Sequence, residues 1–122
     1  MKDCNLQDKV RLLGYVPDED LPGLYTGTLV FVSPSLYEGF GLPIVEAMAC
    51  GVPVIASRTG SMPEITEGKA LLVDPQDMQD ISDALLKIAS DKDLRERLRN
   101  EGLKQAKKFS WKKSADQLYK LI

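Results

Sequence analysis

Three apolar runs constrain this chain more than anything else in it: "LVFV" at 29–32, "VPVIA" at 52–56 and "ALLV" at 70–73. None alternates with polar residues. A strand with one wet face shows that alternation, so short unbroken runs point to strands covered on both sides, as in a parallel sheet. A fourth run, "KVRLLGYV" at 9–16, adds Val10, Leu12 and Leu13. The segments between the runs carry helix signals, and strand–helix alternation implies crossover connections and a doubly wound α/β sheet. The 122 residues fit one domain. The expected fold is a Rossmann-like parallel sheet of about four strands with helices on both faces.

The helix signals are specific enough to place. Asp18 stands where it can cap "EDLPGLYTG", and Pro22 is tolerable there only within a first turn. Pro43 occupies a first helical position and Gly51 a stop, which marks "PIVEAMAC" as a short helix between loop and strand. Asp74-Pro75 starts another, with Asp77 three residues after the cap. Its apolar stripe is Met78, Ile81, Leu85 and Ile88. Leu94 and Leu98 mark a helix dense in alternating charge. Ser110 caps a last one, with Trp111, Ala115, Leu118 and Leu121 or Ile122 facing inward.

Composition removes several classes of chemistry. The chain has no histidine, so no imidazole base can act from within it. Cys4 and Cys50 form no metal or redox spacing, and no metal site is expected. Both read as reduced thiols of a cytoplasmic protein, Cys50 in the core. No apolar run approaches the ~18 residues a membrane span needs, and "MKDCNLQDKV" lacks the apolar region of a secretion signal. Residues 1–90 carry 6 Lys or Arg against 13 Asp or Glu, whereas residues 91–122 carry 10 against 5. The basic end reads either as a contact for an anionic surface or as a solvated helix face. A pI of 5.1 gives no support for nucleic-acid binding.

The chemistry belongs beyond the carboxyl end of a strand, where open α/β sheets bind ligands. "LVFVSPSLYEGFG" puts Glu38 and the glycines Gly39 and Gly41 in the loop that leaves one. The helix starting at Pro43 aims its free N–H groups at the same crevice, which suits an anion and above all phosphate. Gly39 and Gly41 let backbone approach a ligand with no Cβ in the way. Glu46, placed in the first turn of that helix, reaches the crevice too. A carboxylate is a poor neighbour for phosphate but a good acceptor for vicinal hydroxyls. Two carboxylates around a phosphate-binding helix start therefore suit ribose, pyrophosphate and hexose in a row, as in a nucleoside diphosphate sugar. The spacing alone also reads more plainly, with Glu38 a loop charge and Glu46 a charge satisfying the helix dipole.

"PSLYEGFGLPIVEAMACGVPVIAS" closely resembles the E-x7-E region of retaining GT-B glycosyltransferases of the family 4 type. That group includes sucrose synthase, glycogen synthase-like enzymes and lipopolysaccharide mannosyl- and glucosyltransferases. "VRLLGYVPDEDLPGLY", "GSMPEITEGKALLVDP" and "RERLRNEGLKQAKKFSW" resemble the flanking blocks, so the likeness runs from about residue 9 to the end. It implies metal-independent glycosyl transfer with retention of configuration and no cofactor. Glu38 would contact donor-sugar hydroxyls near the reacting carbon. Gly39, Phe40 and Gly41 would present backbone to sugar and phosphate, and Leu42 its N–H to phosphate. Glu46 would hold the ribose hydroxyls, and Tyr15 and Val16 would abut the nucleobase.

The same resemblance implies that residues 1–122 are a partial C-terminal, donor-binding domain. The acceptor domain has no counterpart here, nor do the first donor-domain strands with their pyrophosphate-pairing Arg and Lys. Arg58 and Lys69 do not sit in the matching places. Weak donor binding and no transfer by the chain alone are expected. A subunit of a split glycosyltransferase and a non-catalytic structural piece are the other readings. The family's strand order 3-2-1-4-5-6 would leave a gap between the run at 10–14 and that at 29–32. The expected remedies are closure of one onto the other, exchange with a second copy as a homodimer, or a partner chain. A peripheral membrane contact of the full-length enzyme stays open on the charge of the C-terminal end.

Overall fold

The computed structural model describes residues 5–35 and 41–109, excluding the Leu42 side chain. Three of the apolar runs form strands: β1 (Phe31–Ser33), β2 (Val54–Ser57) and β3 (Leu71–Val73). They make one parallel sheet in the order β1-β2-β3, with Val32 opposite Ile55 and Ala56 opposite Leu72. Five helices accompany them among the described residues: α1 (Leu21–Thr26), α2 (Leu42–Ala49), α3 (Met62–Thr66), α4 (Met78–Ser90) and α5 (Lys92–Ala106). A single turn of 3-10 helix, Asp18–Asp20, leads into α1.

The sheet is covered on both faces, which is why its strands do not alternate in polarity. Successive side chains of a strand point to opposite faces. Phe31, Val54, Ala56 and Leu72 pack with Ile44, Val45, Ala47 and Met48 of α2 and with Met62 and Ile65 of α3. Val32, Ile55, Leu71 and Val73 pack with Ile81, Ala84 and Ile88 of α4 and with Leu94 and Leu98 of α5. All four residues of the central strand β2 are buried. Helix α5 serves both clusters. Leu94 and Leu98 lie with α4, whereas Ala106 joins the α2 side. At Gly102 α5 packs on Met48 of α2, where a Cβ would lie in ordinary contact with Met48 Cγ at 3.6 Å. Beyond that contact, Gln105 Nε2 donates to the Ile65 carbonyl at 2.8 Å, and Lys108 pairs with Glu67 at 2.9 Å. The Lys108 hydrogen bond holds the Glu67 carboxyl below its ordinary range.

The run at 9–16 departs from expectation. Residues 10–17 form no strand, and Leu12 and Tyr15 stand 83% and 87% exposed. A strand must hand its N–H and C=O groups to a neighbour. The described sheet begins at β1, and the run does not close onto it. Apolar content alone therefore did not make this segment a strand.

Smaller corrections follow from local hydrogen bonding and packing. Asp18 caps nothing; it begins the 3-10 turn, and α1 follows with Pro22 in its first turn. The cap of α4 is Asp77, whose carboxylate accepts from the N–H groups of Gln79 and Asp80 at 3.0 and 3.3 Å. Asp74 instead accepts from Gln76 N–H at 3.0 Å, the local turn that an Asp favours ahead of a proline. The buried stripe of α4 runs through Ile81, Ala84 and Ile88, while Met78 and Leu85 are exposed. Cys50 is a free thiol, half-buried against the core rather than inside it. The helix expected after Ser110 lies outside the described residues.

Candidate functional site

The site is built where the chain leaves β1 and enters α2. Ser33, Pro34 and Ser35 lead out of the strand. The expected site residues Glu38, Gly39 and Phe40 lie outside the described residues. Gly41 is the first described residue after them and the N-cap of α2. It sits at φ 75 and ψ 42, the left-handed region that favours glycine. The missing Cβ matters for packing as well as for backbone. A Cβ on Gly41 would lie 2.7 Å from Met62 Cε and 3.3 Å from Ile65 Cδ1. On the side where a Cβ would project, Gly41 thus packs directly on α3, which seats α2 against that helix.

The helix start keeps its donor character. The Gly41 carbonyl accepts from Ile44 N–H at 3.0 Å and from Val45 N–H at 3.3 Å. Pro43 has no N–H to offer. Leu42 N–H, at the first helical position, has no partner within the helix. Among the described residues no side chain caps α2. An anion here gains ~0.3–1 kcal/mol from the dipole when exposed and up to ~2 when partly buried.

Glu46 is the fifth residue of α2 and opens its second turn, one residue further in than its sequence position suggested, because the helix starts at Leu42 rather than Pro43. It is half-buried and hydrogen-bonded. Tyr25 Oη of α1 donates to Glu46 Oε2 at 3.2 Å. The Tyr25 ring meets the Phe31 ring edge-on, with centroids 5.6 Å apart and planes at 62°. Burial, the Glu46 charge and the hydrogen bond itself push the phenol up to about 12. Sequence reasoning read Tyr25 only as part of a short helix. Its link to Glu46 spans 21 positions and leaves no mark in local spacing.

The raised Tyr25 value carries a sign. The fold favours the neutral phenol, so this contribution is fully present below the ordinary tyrosine value near 10 and is lost as pH climbs towards about 12. An absorbance titration at alkaline pH is expected to show one of the four tyrosines ionising late. Tyr25→Phe should remove that late step.

The remaining expected site residues are placed differently. Tyr15 and Val16 lie on the irregular segment before the 3-10 turn, Tyr15 in solvent and Val16 half-buried. No hydrogen bond joins either to α2 among the described residues. Arg58 follows β2 but pairs with Asp80 of α4 at 3.0 Å. Lys69 Nζ donates to the Glu67 carbonyl at 3.0 Å. Both cations thus have partners outside the start of α2. No helix among the described residues is long and apolar enough to cross a membrane.

Comparison with known proteins identifies the arrangement. The family model described as "Glycosyl transferases group 1" matches residues 1–105. The O-antigen chain mannosyltransferase B of Escherichia coli is 51% identical over 116 residues, which is 93% of this chain and 30% of that protein. The D-inositol 3-phosphate glycosyltransferase of Corynebacterium jeikeium is 45% identical over 114 residues, covering 92% of this chain and 27% of its own. The chain thus spans about 30% of the length of such curated relatives. Among solved structures, a sucrose-phosphate synthase from Thermosynechococcus elongatus superposes with a TM-score of 0.90 at 37% identity. The match takes in 98% of this chain and 31% of that one. The C-terminal domain of a glycosyl transferase group 1 family protein from Francisella tularensis gives 0.77 at 33% identity, over 88% of this chain and 56% of its own.

Proposed function

We propose that this chain, which belongs to the glycosyl transferases group 1 family, is the donor-binding portion of a retaining, metal-independent glycosyltransferase of the E-x7-E, family 4 type. Its ligand is a nucleoside diphosphate sugar. Glu46 holds the ribose hydroxyls, and Leu42 N–H at the start of α2 meets a phosphate oxygen. Gly39, Phe40 and Gly41 carry backbone past the sugar and phosphate. Glu38 contacts the donor-sugar hydroxyls beside the reacting carbon. Tyr15 and Val16 border the base. As the glycosidic bond breaks, charge grows on the diphosphate leaving group. Donors fixed in advance, such as a helix start, stabilise that charge without reorganising.

The observation that carries this reading is the pairing of two features on one helix. A helix start that no described side chain caps follows the carboxyl end of β1 in the chain, and a half-buried carboxylate held by a tyrosine lies one turn further along. Relatives named as mannosyl- and glycosyltransferases support a sugar donor. The acceptor and the act of transfer belong to the full-length protein, in the cytoplasm, together with an acceptor domain. The chain by itself binds donor weakly and transfers nothing.

Calorimetric titration of the chain with UDP, GDP, ADP and inorganic pyrophosphate tests the reading. At least one nucleoside diphosphate is expected to bind tenfold or more tightly than pyrophosphate, about 1.4 kcal/mol. Equal affinity for all four would leave no nucleoside recognition and would overturn it.

A further inference from the structure

We propose that Tyr25 is a positioning residue. It fixes the Glu46 carboxylate in the orientation that accepts a vicinal cis-diol, and so makes the site select ribonucleotides over analogues lacking those hydroxyls. This inference rests on the donor-binding reading above.

An ionised carboxylate offers about four lone-pair directions. The phenol takes one of them, on Oε2. Among the described residues it is the one side-chain donor on this carboxylate. The rest of the acceptor capacity, including all of Oε1, is left for hydroxyls. Two adjacent hydroxyls on a furanose ring can each donate to one carboxylate, but only if that carboxylate does not turn. A glutamate on a helix has three side-chain torsions, and ordering such a side chain on binding costs about 0.5–1.5 kcal/mol. A tether that orders it beforehand removes that cost.

The tether is itself held. The Tyr25 ring packs on the α2 face of the sheet and meets Phe31 of β1 edge-on. The phenol therefore reaches Glu46 from a fixed base that spans α1, β1 and α2. Tyr25 also stays protonated, and hence a donor, well above neutral pH. A residue serving only to pin α1 to α2 would need neither the hydroxyl nor a charged partner, because the ring alone supplies the packing.

The test compares GDP with 2′,3′-dideoxy-GDP, and UDP with its 2′,3′-dideoxy analogue, by calorimetry on the 122-residue chain, on Tyr25→Phe and on Glu46→Gln. Tyr25→Phe keeps the ring and loses only the hydroxyl. The unaltered chain is expected to prefer the ribose form. Tyr25→Phe is expected to shrink that preference by roughly 2- to 13-fold while leaving dideoxy affinity unchanged, which also verifies that the variant is folded. Tyr25→Phe combined with Glu46→Gln should lose no more than Glu46→Gln alone, because the hydroxyl acts through that carboxylate.

Equal weakening of both ligand forms by Tyr25→Phe would make the residue merely structural and overturn the proposal. A preference lost in Glu46→Gln but kept in Tyr25→Phe would overturn it while leaving the Glu46 reading intact. A preference unaffected by either variant, or absent from the unaltered chain, would remove the Glu46 reading and this inference together.

Discussion

Ile55→Ala is expected to lower the unfolding free energy by about 2–5 kcal/mol, the range for truncating a buried isoleucine. Ile55 is fully buried in the middle of the central strand. It shares a cluster with Val73, Ala84, Ile88, Leu94 and Leu98, contributed by β3, α4 and α5. With three elements around it, the site cannot collapse without moving the sheet or a helix, so the upper half of the range is the better guide. A domain of this size has about 5–15 kcal/mol in all, so the loss is a large share. Urea unfolding should show a lower midpoint with an unchanged slope, since the surface exposed on unfolding stays nearly the same. A loss below about 1 kcal/mol would mean that α4 and α5 do not close over this face of the sheet.

Glu46→Ala is expected to weaken nucleoside diphosphate binding by about 1.5–3 kcal/mol, the range for hydrogen bonds to a charged group. That is roughly a 10- to 150-fold rise in Kd. The substitution removes the carboxylate assigned to the ribose and leaves the Tyr25 hydroxyl without its acceptor. It does not touch the start of α2, four positions earlier. Affinity for inorganic pyrophosphate should therefore hold while affinity for the nucleoside diphosphate falls, both by calorimetry. Parallel loss of both would point to a disturbed helix. No loss of either would remove Glu46 from the binding site.

The parallel sheet was legible because its strands lie between two layers of helix, and burial on both faces writes an unbroken apolar run. The run at 9–16 shows the limit of that signal. Apolar residues record what gains by burial, not which element will cover it, and no described strand lies beside Leu12 and Leu13. In α4 the large side chains misled. Met78 and Leu85 are exposed, while Ala84, too small to stand out by hydropathy, packs between Ile81 and Ile88. Helix α3 has five residues and was too short to show periodicity. At the site, Gly41 and Glu46 announced themselves through a proline, a glycine and the helix pattern around them. Their actual neighbours, Met62 and Tyr25, come from elements distant in sequence, so the reason for each could not be read locally. Glu38, Gly39 and Phe40 lie outside the described residues, and their roles rest on resemblance.

Helix α5 has a consequence for how the molecule comes apart. Its first turns lie against α4 and its last turns against α2, so one continuous rod clasps the layers on either side of the sheet. Fraying either layer alone would strip one end of that rod of its contacts while the other end stayed docked. The two layers are thereby bound into a single cooperative unit, in which backbone amides deep in either one open to solvent together.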